Sequence, residues 1–159
     1  MKDLKRYAGS RMIDAKPMTR AEYNAFREWE LPENENGEDE GYLVIRQRKG
    51  DDYLSWVPKD IFEEEYLPCD KGLPFSVVLD QILNHGARAA RTGWNGKKMF
   101  IFLVPGSEFE VNRDPLLTIL GAGTKVKYHG HIDMKTATGE IVPWLASQTD
   151  LQANDWTFV

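Results

Sequence analysis

The chain has 159 residues, 42% of them hydrophobic and 28% charged, which fits one ordinary soluble domain or two very small ones and argues against wholesale disorder. A net charge of −5 and a pI near 5.3 argue against a generic nucleic-acid binder, which needs an excess of Lys and Arg facing phosphate. They leave room for a small anionic ligand held by local donors. The lone Cys69 makes no internal disulfide and builds no zinc site by itself, so a reducing cytoplasm is expected.

Lys2, Lys5 and Arg6 lead into mixed polar sequence instead of an apolar core, so no secretory leader is expected. No apolar run approaches the roughly 20 residues of a membrane helix. Loose alternation from Tyr7 to Lys16 predicts a strand leading into Pro17. Thr19-Arg-Ala-Glu22 has the spacing of a capping box and predicts a helix to Trp29, stopped by Leu31-Pro32. The acidic run Glu33 to Glu40 is too polar to bury and predicts a solvated loop; it lacks the form of a calcium-binding EF-hand loop. Gly41–Arg46 and Tyr53–Val57 then predict a hairpin, and Pro58 suits the first turn of a helix through Ile61 and Phe62. These elements form a first module, residues 1–66, divided from a second, residues 73–159, by the Pro- and Gly-framed seam Leu67 to Gly72.

In the second module Phe75, Val78, Leu79, Ile82 and Leu83 recur at helical spacing, and Gly86 suits the left-handed cap that stops the helix. Ala87–Thr92 and Met99–Val104 predict a strand pair turning at Gly93-Trp-Asn-Gly96. Gly106 to Lys127 reads as a long variable region, with Gly121-Ala-Gly123 a flexible loop. Strands are predicted at His131–Lys135 and Ile141–Leu145 with a turn at Thr138-Gly139, then a short helical turn from Ser147 and a closing strand at Trp156–Val159. Connections too short for crossover helices predict an α+β fold with a small antiparallel sheet and flanking helices, preceded by a second small α+β module.

The chemistry concentrates in two places. Asn95 and Gly96 are explained by turn geometry, whereas Trp94 reads from spacing first as a core or interface aromatic, with a platform for a flat ring as the alternative. Trp144 and Trp156 bracket Ser147, Gln148, Thr149, Asp150, Asn154 and Asp155. Ser147 and Asp150 have capping-box spacing, a local structural role. The same run offers donors and acceptors for a ribose and a purine edge, with helix N–H groups at Ser147 for a phosphate. Arg91 is the nearby cation. His129 and His131 share a strand face without a third ligand, and His85 suits the carbonyl end of a helix. No catalytic motif is present, so neither an enzyme, a metal nor a cofactor is implied, although Asp150 and Asp155 are acids in one short span.

Four motifs in order then resemble a known family: Phe75…Gly86-Ala-Arg-Ala-Ala-Arg-Thr-Gly-Trp-Asn-Gly-Lys97, Met99-Phe-Ile-Phe-Leu-Val104, Met134-Lys-Thr-Ala, and Ile141-Val-Pro-Trp-Leu-Ala-Ser-Gln-Thr-Asp-Leu…Ala153-Asn-Asp-Trp156. The second module resembles the Thoeris anti-defence 2 family of small phage and prophage proteins. That resemblance implies a sponge that binds glycocyclic ADP-ribose signals in the infected bacterial cytoplasm without degrading them, blocking Thoeris immunity. It also implies homotetramers, pockets shared between protomers, and in some members a second site for cyclic dinucleotides. By position, Trp94 would be the stacking platform and Asn154 a polar contact, with Asn95, Ser147, Gln148, Thr149 and Asp150 beside them; Arg91 is added by chemistry as a phosphate partner. The first module lies outside the minimal family domain and is similar to a small domain common in phage proteins. A nucleotide hydrolase using Asp150 or the His129/His131 pair, and a protein-binding adaptor acting through the first module, are the alternatives.

Overall fold

The computed structural model describes Lys5, residues 11–94 and residues 96–159; residues 7–10 of the first expected strand and Asn95 lie outside these. The chain divides into two units, Met1–Leu67 and Pro68–Val159. The fold is α+β, with every strand pairing among the described residues antiparallel.

In the first unit β1 (Asp14–Pro17), β2 (Gly41–Arg46) and β3 (Tyr53–Pro58) form a sheet in that order, with helices α1 (Arg20–Phe26) and α2 (Lys59–Glu65). The capping box is formed in both directions: the Thr19 hydroxyl accepts from the Glu22 N–H, and the Glu22 carboxylate accepts from the Thr19 N–H at 2.8 Å. The helix stops at Phe26, three residues before the expected end, because Arg27 caps it and Glu28 turns the chain with φ +56°. Trp29 is thereby released from the helix to take the Arg27 guanidinium over its ring at 4.4 Å. Residues 33–40 are a loop as expected, tied down by the Arg20–Glu35 ion pair and by the Asn36 amide donating to Asp39. Pro58 ends β3 and is the residue before α2, one place earlier than its expected helical position. Leu43 and Val44, adjacent in β2, are both buried, and Tyr42, Phe62 and Tyr66 stack in series at 4.0 and 4.9 Å.

Charge is partitioned unevenly. Residues 1–67 hold 11 Lys and Arg against 16 Asp and Glu, a net −5, whereas residues 68–159 hold nine of each and are neutral. The acidity that disfavours polyanion binding therefore belongs to the first unit.

In the second unit a 3-10 turn at Cys69–Lys71 leads to helix α3 (Phe75–His85), which ends on Gly86 at φ +68°, the left-handed cap. The strands are β4 (Ala89–Arg91), β5 (Phe100–Val104), β6 (Ser107–Glu110), β7 (Lys125–Tyr128), β8 (His131–Lys135), β9 (Ile141–Pro143) and β10 (Trp156–Phe158). Short helices α4 (Leu116–Leu120) and α5 (Gln148–Leu151) complete the unit. The main sheet runs β10-β4-β5-β8-β9, so the last strand lies beside β4. Leu73, Phe75, Val78, Ile82, Ala89, Ile101 and Trp156 make the core between α3 and this sheet.

Two expectations are corrected. The 93–96 turn is not a tight two-residue hairpin: a 3-10 turn at Thr92–Trp94 and further turn residues separate β4 from β5, which pair at Ala89↔Ile101. The expected variable region contains a folded arm, with β6 and β7 in register from Ser107↔Tyr128 to Glu110↔Lys125. Its tip closes through the Gly123 N–H donating to the Val111 carbonyl at 3.0 Å, and Phe109 meets Tyr128 edge-on at 5.2 Å.

Candidate functional site

The site is organised by Trp156, whose side chain is completely buried at the start of β10. Pairing of β10 with β4 sets Trp156 opposite Arg91. Since register partners share a sheet face, the guanidinium lies over the indole at 5.8 Å from the ring centre. Trp94, three residues on, meets Trp156 edge-on at 5.4 Å, and Phe75 and Trp144 meet the same ring at 5.2 and 6.0 Å. Trp94 is half-buried. Its ring is anchored in the aromatic cluster and keeps part of its surface open.

The polar run folds back onto this cluster. Ser147 caps α5: its hydroxyl accepts from the Asp150 N–H at 3.1 Å, and the Asp150 carboxylate accepts from the Ser147 N–H at 3.0 Å. The helix has four residues, and its capping box engages the Ser147 and Asp150 N–H groups. Gln148 and Thr149 are exposed, and the Thr149 hydroxyl lies 2.8 Å from that of Ser147. Asn154 is exposed, with no side-chain hydrogen bond to the described residues. The place of Asn154 is set by backbone: its carbonyl would lie 2.6 Å from any Cβ on Gly72, whose φ is +92°.

Arg91 joins the two halves. Its Nη1 donates to Asp150 at 3.0 Å and its Nε to Asp155, while the Thr92 N–H and hydroxyl both donate to the Asp155 carbonyl at 3.0 and 2.9 Å. The Trp156 indole N–H donates to the Asp150 carbonyl at 3.1 Å. Asp155 and Trp156 are thus structural partners of Arg91 and Asp150, signalled in the sequence by the Ala-Asn-Asp-Trp motif. Two clefts, of about 390 Å³ around Tyr42, Lys59 and Glu63 and about 340 Å³ around Ser107, Tyr128 and His129, include none of these groups. His131 Nε2 lies 3.4 Å from Asp133, and no cluster of three metal-ligating side chains occurs among the described residues.

Burial pushes the Asp150 carboxyl upward, but the Ser147 hydroxyl and N–H, with the Arg91 guanidinium, outweigh it and hold the pKa below its ordinary 3.8. The Arg91 pKa is raised, first by its hydrogen bond to Asp155. A carboxyl with a depressed folded pKa contributes stability that is complete above its unfolded pKa and lost as pH falls through the folded one. Acid titration followed by tryptophan fluorescence should show the second unit weakening below about pH 4. Asp150→Asn should flatten that acid limb and lower stability at pH 7; an unchanged limb would contradict this role.

With this geometry in view, the profile of the Thoeris anti-defense 2-like domain matches residues 73–159, more than half of the chain. The chain belongs to that family. It is 36% identical over 84 residues to Thoeris anti-defense 2 of Bacillus phage SP01, a match covering 50% of this chain and 86% of that protein. Trp94, Arg91 and the 147–156 segment all lie within the family domain, and no helix among the described residues is long and apolar enough to cross a membrane.

Proposed function

We propose that the second unit binds glycocyclic ADP-ribose signals in the infected bacterial cell and withholds them from their receptor without cleaving them. Family membership supports the anti-defence role. The observation that carries the binding reading is the meeting of Trp94 and the 147–154 polar run around one buried tryptophan. On this reading Trp94 stacks on the adenine, Asn154 offers its amide, and Ser147, Gln148 and Thr149 face the ribose hydroxyls. Arg91 and Asp150 complete the wall.

The state of Asp150 speaks against its use as a general acid in hydrolysis. A general acid near neutral pH needs a raised pKa, whereas this carboxyl is depressed and committed to Ser147 and Arg91. Energetics agree: nanomolar affinity is about −12 kcal/mol. A ligand of about three dozen non-hydrogen atoms at roughly −0.3 kcal/mol each supplies nearly that. Binding is assigned to the neutral unit alone, since the acidic first unit disfavours an anion.

Assembly belongs to the same proposal. Leu145 is 91% exposed, and Ile141, Val142 and Leu151 are also open nearby in sequence; exposed apolar side chains of this kind suit contact with a second copy in a homotetramer. Leu145→Glu should shift the sedimentation profile to smaller species with the fold retained; an unchanged profile removes this face from the assembly. Titration calorimetry with glycocyclic ADP-ribose and a panel of cyclic dinucleotides tests the ligand. Submicromolar binding of the former is expected, heat from the latter would mark a second ligand class, and no heat from glycocyclic ADP-ribose contradicts the proposal.

A further inference from the structure

We propose that Arg91 is a positioning residue, an internal clamp that sets the 147–155 segment for binding, and not the group that receives the ligand's phosphate. The inference rests on the binding reading above but draws on a separate observation. Arg91 is the last residue of β4, and its fork reaches two carboxylates that flank Asn154 in sequence, Asp150 and Asp155. A planar guanidinium satisfies two such acceptors at once, in fixed geometry, which a lysine cannot do.

The segment it holds also rests on the Ala153 side chain packed against the core and on the Thr92 N–H bonded to the Asp155 carbonyl. It contains one turn of helix, closed by a local capping box, and its Gln148, Leu151 and Asn154 side chains are exposed. Among the described residues, the side-chain hydrogen bonds that tie this segment to its surroundings are the Arg91 fork, the Thr92 hydroxyl on the Asp155 carbonyl and the Trp156 indole on the Asp150 carbonyl. Of these the Arg91 fork alone grips both ends.

Charge points the same way. One cation stands against two carboxylates, and the Arg91 and Asp150 side chains are 23% and 16% exposed. A phosphate approaching Arg91 meets two carboxylates already on the same guanidinium, Asp150 largely covered and Asp155 39% exposed, so both repel it and the Asp150 charge is screened least. The wall therefore suits the neutral parts of the signal, hydroxyl and amino groups, better than its pyrophosphate.

The test compares wild type, Arg91→Lys and Arg91→Gln in the full chain. Calorimetry with glycocyclic ADP-ribose is run across a range of salt concentrations, and hydrogen exchange is followed with no ligand present. A clamp predicts that both variants lose at least tenfold in affinity and keep the wild-type salt dependence. It also predicts at least tenfold faster exchange at residues 147–155, with α3 still protected. A phosphate contact instead predicts that Arg91→Lys retains most of the affinity, while Arg91→Gln loses it together with part of the salt dependence; that result overturns the clamp. Unchanged exchange at 147–155 in Arg91→Lys also overturns it. Because exchange needs no ligand, a wild-type protein that binds no signal would sink the proposed function while leaving the clamp decided by its own readout.

Discussion

Trp94→Ala is expected to weaken binding of glycocyclic ADP-ribose far more than it weakens the fold. Stacking of a base on an aromatic ring is worth about 1–3 kcal/mol, roughly a 5- to 150-fold loss of affinity. The ring is half-buried and touches Trp156 by its edge, so truncation removes only part of a buried contact surface. The stability cost should fall below the roughly 3–5 kcal/mol of a fully buried Trp→Ala change. Calorimetry and thermal unfolding on the same preparation separate the two effects. A large drop in melting temperature with affinity unchanged would make Trp94 a core residue and nothing more.

Trp156→Ala is the opposite case. This side chain is 0% exposed, contacts Phe75, Trp94 and Trp144, lies under the Arg91 guanidinium and donates its indole N–H to Asp150. A cavity of that size costs about 3–5 kcal/mol, a large share of the roughly 5–15 kcal/mol by which a domain is stable. Loss of the cooperative unfolding transition of the second unit is expected, with ligand binding lost alongside it. Trp156→Phe keeps a ring but no N–H donor, so it should fall between wild type and Trp156→Ala. Wild-type stability in Trp156→Ala would refute its place as the hub.

The contrast between these tryptophans shows what was legible in the sequence. Local signals read true: the Thr19/Glu22 and Ser147/Asp150 boxes, the Gly86 cap and the apolar spacing of α3 each act within a few residues. The antiparallel α+β class followed from short connections. Trp156 was legible as an aromatic at the edge of a polar run, but its role comes from pairing with Arg91, 65 positions earlier. No local pattern carries that. The early stop of α1 depends on Glu28 adopting a positive φ, a conformation a glutamate does not announce. The 107–128 arm is held by one strand pair and a glycine-closed tip, too few residues to raise a periodic signal. A sequence lists charges without their partners, so Arg91 stands in it as a cation for a phosphate; the fold supplies Asp150 and Asp155.

The central claim is capture without chemistry. The full chain, incubated with a stoichiometric amount of glycocyclic ADP-ribose and passed through a filter that retains protein, should leave the filtrate free of signal. Heating the retained fraction to denature the protein should then release the signal intact, at the mass and chromatographic position of the starting compound and able to trigger its receptor again. Release of a linear or cleaved product, or signal that passes the filter unbound, would contradict sequestration by the site around Trp94 and Trp156.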